Sequence, residues 1–201
     1  MRSDITITVG CDYGAGGPAI GKKIAEDYGI PCYDRSVIDR IIEETGFSHS
    51  LAEAAESGAE IRGRRVAGER SEAAAYSVLT DRIVYIQTQI IKKLADRGPC
   101  VFVGRCADFV LKDRENVLNV FVYAPDEYRL ANIRETLDIS EEAARWQMEK
   151  NDRQLHARYK QMTGTYRGDR HNRHILIDSS ILGTDETAKF IETFAEKMFP
   201  G

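Results

Sequence analysis

Short β-branched apolar runs alternate with longer segments of helical periodicity along the chain. Ile5-Thr6-Ile7-Thr8-Val9 is alternating, β-branched and closed by glycine, which predicts a strand. Helix is predicted at Ala19–Ala25, a short strand at Ile30–Tyr33, and helix again over 35–45, stopped by Gly46. Residues 48–66 are rich in alanine and charge and fit a mobile or helical insert. Val78, Ile83, Ile86, Ile90 and Leu94 recur at near-helical spacing between Glu69 and Arg97, and Gly98-Pro99 ends that helix. Cys100–Gly104 and Val117–Tyr123 predict buried strands, and His174–Asp178 a fifth. Pro125 sits where a helix begins, with Asp126 and Glu127 in its first turn. Ser140 caps a further helix, and residues 184–198 make the last one, with Thr184 or Asp185 near its cap.

Strands separated by helices predict right-handed βαβ units: an α/β fold, three layers, with a parallel five-stranded sheet and helices on both faces. Ligands in such folds lie beyond the carboxyl ends of the strands. The loops at 10–18, 33–36, 104–108, 123–127 and 178–183 are therefore expected to face the site.

Composition adds bounds. The length of 201 residues predicts one domain over 1–201, and 42% hydrophobic with 30% charged residues is ordinary for a soluble globular enzyme. No apolar run approaches the ~18 residues of a membrane span, so no membrane partner is expected. Met1-Arg2-Ser3-Asp4 leads at once into the first strand, which predicts no signal peptide and a cytoplasmic location. Cys11, Cys32, Cys100 and Cys106 form no CxxC pair and are expected as free thiols.

The net charge of −4 hides an asymmetry. Residues 145–173 hold eight Lys/Arg against three acids, so this segment carries +5 and the remaining 172 residues carry −9. A basic segment in an acidic protein predicts a local anion site, not a nucleic-acid surface.

The densest local signal is the loop Gly10–Gly21, with four glycines in residues 14–21, between the first strand and the first helix. Glycines there permit positive φ and close backbone approach, and the helix N-terminus faces a bound anion. Against the phosphate-binding pattern GxxxxGK[ST], Cys11 replaces the first glycine, Gly17 the lysine and Pro18 the hydroxyl residue. Lys22 and Lys23 lie one turn further along the helix.

In order along the chain, Tyr13-Gly14-Ala15-Gly16-Gly17, Gly29-Ile30-Pro31-Cys32-Tyr33-Asp34, Val103-Gly104-Arg105-Cys106-Ala107-Asp108, Tyr123-Ala124-Pro125 and Asp178-Ser179-Ser180 resemble the motifs of the cytidylate kinase-like family. That family is a branch of the P-loop nucleoside monophosphate kinases. The resemblance covers almost the whole chain. It implies a P-loop NTPase-type fold with an acceptor-side insert at about 46–75 and a helical lid at about 140–173. It implies ATP and Mg²⁺ as cofactors, with donor phosphates on Gly14, Ala15, Gly16, Gly17 and Lys22, and Asp12 helping to position the metal. It implies an acceptor held by Asp34, Arg40 and Arg105, with Cys106 standing where relatives have an Asp and Asp108 two residues on. The basic segment becomes the lid, in which Arg153, Arg158 and Arg105 would stabilise the transferring group. Five residues apart on a helix, Arg153 and Arg158 lie about 140° from each other. Arg129 and Arg134 on the preceding helix are further candidates, and Leu155 stands where the branch often has an arginine.

Two functions follow from the resemblance. One is an ATP-dependent kinase transferring phosphate to a nucleoside monophosphate such as CMP. The other is a catalytically silent module that binds a nucleotide or another phosphorylated ligand for a regulatory role. Both make nucleotides the partners. The polarity of residues 48–75 is also compatible with a homodimer contact.

Overall fold

A computed structural model of the chain describes residues 4–36 and 84–200. The expected helix over 35–45 from residue 37 onward, the insert at 46–75, the start of the helix from Glu69, and Arg40 lie outside the described residues.

Five strands form one sheet: β1 (Thr6–Cys11), β2 (Cys32–Tyr33), β3 (Cys100–Val103), β4 (Val117–Tyr123) and β5 (Ile175–Asp178). All neighbours run parallel, in the order β2-β3-β1-β4-β5. The chain leaves β1 toward β2 on one side and later crosses over β1 from β3 to β4. The carboxyl end of β1 is therefore the topological switch point, where such sheets bind ligands.

Helices cover both faces: α1 (Gly17–Tyr28), α2 (84–95), a short α3 (Ala107–Val110), α4 (Asp126–Leu137), a long α5 (Glu141–Thr163) and α6 (Ser179–Met198). One face buries Ile5, Ile7, Val9, Val101 and Val120 against α1 and against Ala188, Ile191 and Ala195 of α6. The opposite face buries Cys100, Phe102 and Val117 against Ile91 and Leu94 of α2. Each such large side chain contributes about 1.5–3 kcal/mol. Gly21 lets α1 approach the sheet, since a β-carbon there would lie 2.5 Å from Val103 Cγ2.

Helix ends follow local chemistry. Pro125 precedes α4, and Ser140 caps α5 by accepting the Ala143 N–H at 3.3 Å. The expected helix over 19–25 extends to Gly17–Tyr28, ended by Gly29 in the left-handed region. The last helix differs most from expectation. It starts at Ser179, where the Asp178 carboxylate accepts the Ser180 N–H at 2.9 Å, and it breaks at Gly183 (φ 72°) before resuming at Thr184. Among the described residues no helix is long and apolar enough to cross a membrane.

Candidate functional site

The loop after β1 is held by its carbonyl groups. Arg129 Nε donates to Tyr13 O at 2.8 Å, Asn132 Nδ2 to Gly14 O at 3.0 Å, and Ser179 Oγ to Ala15 O at 2.7 Å. Three successive oxygens are thus tied to α4 and α6, which keeps their partial negative charge directed at the scaffold. The Ala15 N–H closes a turn onto Asp12 O at 3.1 Å. Gly14 (φ 85°) and Gly16 (φ 82°) take left-handed backbone that only glycine adopts cheaply. At Gly14 space is also short, because a β-carbon would lie 2.8 Å from Arg129 O.

The swaps at Cys11 and Gly17 are one structural unit. A β-carbon on Gly17 would lie 2.4 Å from Cys11 Sγ and 2.5 Å from Cys11 Cβ. The cysteine fills the space into which a residue at 17 would grow, so a side chain at 17, a P-loop lysine included, forces Cys11 to shift. Burial pushes the Cys11 thiol up to about 11, so it sits there as a neutral packing group.

Around this loop stands an ionic network. The Asp152 carboxylate, from α5, accepts the Tyr13 N–H at 3.2 Å, accepts from Arg167 at 3.2 Å and pairs with Arg129. Arg167 also donates to Asp12 at 3.0 Å, and Arg129 to Asp126 at 3.3 Å. The arginine side chains are 7% (Arg129) and 12% (Arg167) exposed, so the pairs are poorly screened. Burial raises the Asp12 pKa above the usual carboxylate range, against the pull of Arg167.

A second group gathers at the ends of β2 and β3. Gly104, Arg105 and Cys106 are successive left-handed residues (φ 71°, 58° and 54°), two of them non-glycine. Such backbone costs about 1–3 kcal/mol per strained residue and is retained at functional sites. Arg105 Nη2 reaches Arg35 O at 3.4 Å, beside Asp34, whose carboxylate accepts Ser36 Oγ at 2.7 Å. Buried Gln87 of α2 donates to Arg105 O at 2.9 Å and accepts from Arg158. Arg105 and Arg158 are thereby brought together near Asp34, at the ends of β2 and β3.

Other expected site residues lie elsewhere. Lys22 is 72% exposed and pairs with Glu26 at 3.7 Å, one turn further from the loop. Arg153 is exposed, with Nε on its own helix at Glu149 O. Arg134 is exposed beside Glu141 at 3.8 Å. The Asp108 carboxylate accepts Tyr159 Oη at 2.6 Å and pairs with Arg173. Arg167 and Asp152 were not among the residues singled out from sequence, although both lie in the basic segment.

The chain matches the cytidylate kinase-like family over residues 6–181. It belongs to that family. Among solved structures, an uncharacterized protein from Eubacterium ventriosum ATCC 27560 aligns with TM-score 0.72 at 22% identity, covering 96% of this chain and 98% of its own. Shikimate kinase from Acinetobacter baumannii in complex with shikimate aligns at 0.52 and 16% identity, over 98% and 96% of the two chains. A gluconokinase from Sinorhizobium meliloti 1021 aligns at 0.51 and 15% identity, over 98% and 97%. At these identities the likeness is one of fold, a P-loop kinase fold of which this family is a branch. No curated protein matches the chain.

Proposed function

We propose that this family member is an ATP-dependent kinase whose acceptor is a nucleoside monophosphate such as CMP. The observation that carries the proposal is the Asp152 carboxylate: a loop N–H and two guanidinium groups already hold an oxyanion at the switch point. A phosphate oxygen makes the same bonds to the same donors, and forked guanidinium groups suit it. Phosphoryl transfer needs positioning and positive charge more than covalent chemistry from the protein. Here Arg129 and Arg167 supply on the donor side the charge that Gly17 does not. Arg105 and Arg158, with Asp34, hold the acceptor, whose own phosphate oxygen is the nucleophile.

The residues fit Mg²⁺ in kind. Mg²⁺ is held by one or two carboxylates together with substrate phosphates, not by an all-protein cage. Asp12 and Asp152 are two such carboxylates at the loop, and no larger cluster of metal-ligating side chains occurs among the described residues. When bound with ATP, the ion would neutralise charge on the donor phosphates. The pairs around Arg167 and Arg129 count three carboxylates against two guanidiniums, so the network itself has room for a cation.

The test is turnover of ATP and Mg²⁺ with each nucleoside monophosphate, run beside calorimetric binding. Phosphate transfer to a pyrimidine monophosphate is the expected result. Tight nucleotide binding with no transfer to any acceptor would overturn the kinase reading and leave the silent module.

A further inference from the structure

Behind helix α5, on the sheet face away from α1, lies a cavity of about 350 Å³. That falls within the ~300–1,000 Å³ of small-molecule sites. Its walls come from three places: Asp108 and Lys112 at α3, Asn119 in β4, and the end of α5 with the return segment, including Thr165, His171 and Arg173. None of the donor-side residues Asp12, Arg129, Asp152 or Arg167 lines it.

The chemistry of the lining is that of a donor. Asp108, its one carboxylate, is already taken by Arg173 and by Tyr159 Oη at 2.6 Å. Asn119 Oδ1 accepts the Thr8 hydroxyl at 2.7 Å, which turns its amide NH₂ away from Thr8. His171 bonds Asp169 through Nδ1 at 2.8 Å, so Nε2 is its outer nitrogen. Lys112 adds an ammonium, with Nζ 4.7 Å from the Phe109 ring centroid. Arg173 anchors the rear wall: its side chain is 1% exposed, pairs with Asp108 and donates to Tyr159 Oη at 3.2 Å. Lys112 and Arg173 against Asp108 leave the lining with net positive charge.

We propose that this cavity is a second binding site, for a small oxyanion-bearing metabolite with a phosphate or carboxylate group. Its occupant would touch the segment that also serves the glycine loop. Arg173 Nη2 donates to Arg167 O at 2.9 Å, and both guanidiniums lie over the Phe121 ring, at 5.7 and 5.8 Å. The site itself does not depend on the kinase reading.

The experiment is an amide ¹H–¹⁵N titration of the full chain with inorganic phosphate and, separately, with citrate. The variants are Lys112→Gln, an exposed change that leaves the core alone, and Arg167→Ala. Saturable movement of the Asn119, Thr165 and Asn172 signals is expected in the wild type. Lys112→Gln should weaken it about tenfold, the scale of one lost charged hydrogen bond. Arg167→Ala should retain it while losing phosphate shifts at Tyr13–Gly17. The anion that saturates at lower concentration identifies the ligand group. Absence of saturable movement at those three residues, or equal affinity in wild type and Lys112→Gln, overturns the proposal. Neither outcome bears on whether ATP is turned over.

Discussion

Alanine at Gly17 would place a β-carbon 2.4 Å from the Cys11 sulfur. Carbon and sulfur in contact prefer ~3.5–4 Å, so the two groups must separate by more than about 1 Å. The strand end and the first turn of α1 that carry them are both packed, and overpacking of this kind costs about 1–3 kcal/mol. In a domain of this size that lowers Tm by roughly 2–4 °C per kcal/mol. Cys11→Gly removes the obstacle at its own cost, about 0.5–1 kcal/mol for glycine in a strand plus the lost packing. In the Cys11→Gly background, Gly17→Ala should then be neutral or stabilising, giving a coupling energy of about 1–3 kcal/mol. The assay is a four-member cycle of wild type, both single variants and the double variant, each unfolded in urea. Equal cost of Gly17→Ala in both backgrounds, within about 0.5 kcal/mol, would refute the argument. The same logic governs a restored P-loop lysine: Gly17→Lys alone should unfold more easily and bind ATP no better, whereas Cys11→Gly/Gly17→Lys has room for the side chain and should bind ATP more tightly.

Arg167→Ala is expected to weaken ATP binding at least about tenfold in calorimetry, while Arg153→Ala, on the exposed side of α5, stays within about twofold. Asp108→Asn leaves the Arg173 charge buried without its counter-ion and should cost about 3–5 kcal/mol in urea unfolding, more than Tyr159→Phe, which leaves that ion pair in place. His174 is held neutral: burial lowers its pKa below 6.5, and its Nδ1 accepts the Asn119 N–H at 2.9 Å. A depressed folded-state pKa gives stability that is present above pH 6.5 and is lost as pH falls through the folded value. The fall in urea midpoint between pH 7 and pH 5 should therefore be smaller in His174→Gln than in the wild type.

What could be read from sequence was local. The β-branched run at 5–9, the strand Val117–Tyr123 and the Ser140 cap follow from neighbours within a few residues, and the structure has them within one or two positions. The glycine loop was visible because positive φ leaves a mark in residue type. Arg167 was not, because its partner Asp12 is 155 residues away and nothing in its own neighbourhood separates it from the seven other cations of the basic segment. The family resemblance implies Arg153 and Arg158 as substitutes for the arginine that Leu155 replaces. The ~140° between them on a helix already set them on different faces, and the structure leaves one exposed and the other against Gln87. Asp108 shows the converse difficulty, since a carboxylate two residues beyond an arginine fits either an acceptor site or a buried anchor. Only the return of the chain at Arg173 reveals the buried pair.

The charge asymmetry between body and basic segment now has a more specific meaning. Of its eight cations, Arg167 reaches the glycine loop, Arg158 bonds Gln87 near Arg105 and Arg173 is buried; Arg153 bonds its own helix and is exposed. On the kinase reading proposed above, the charge missing at position 17 would come from a different part of the chain. A P-loop lysine is built into the loop and is present whether or not a lid closes. Arg167 reaches the loop from the return segment after α5, bound to Asp12 and Asp152, so its charge is available to a phosphate only when that segment lies against the loop and a ligand outcompetes two carboxylates. On the kinase reading proposed above, donor binding and the position of the return segment after α5 would be linked through one guanidinium. A residue at 17 could not restore independence without first displacing Cys11.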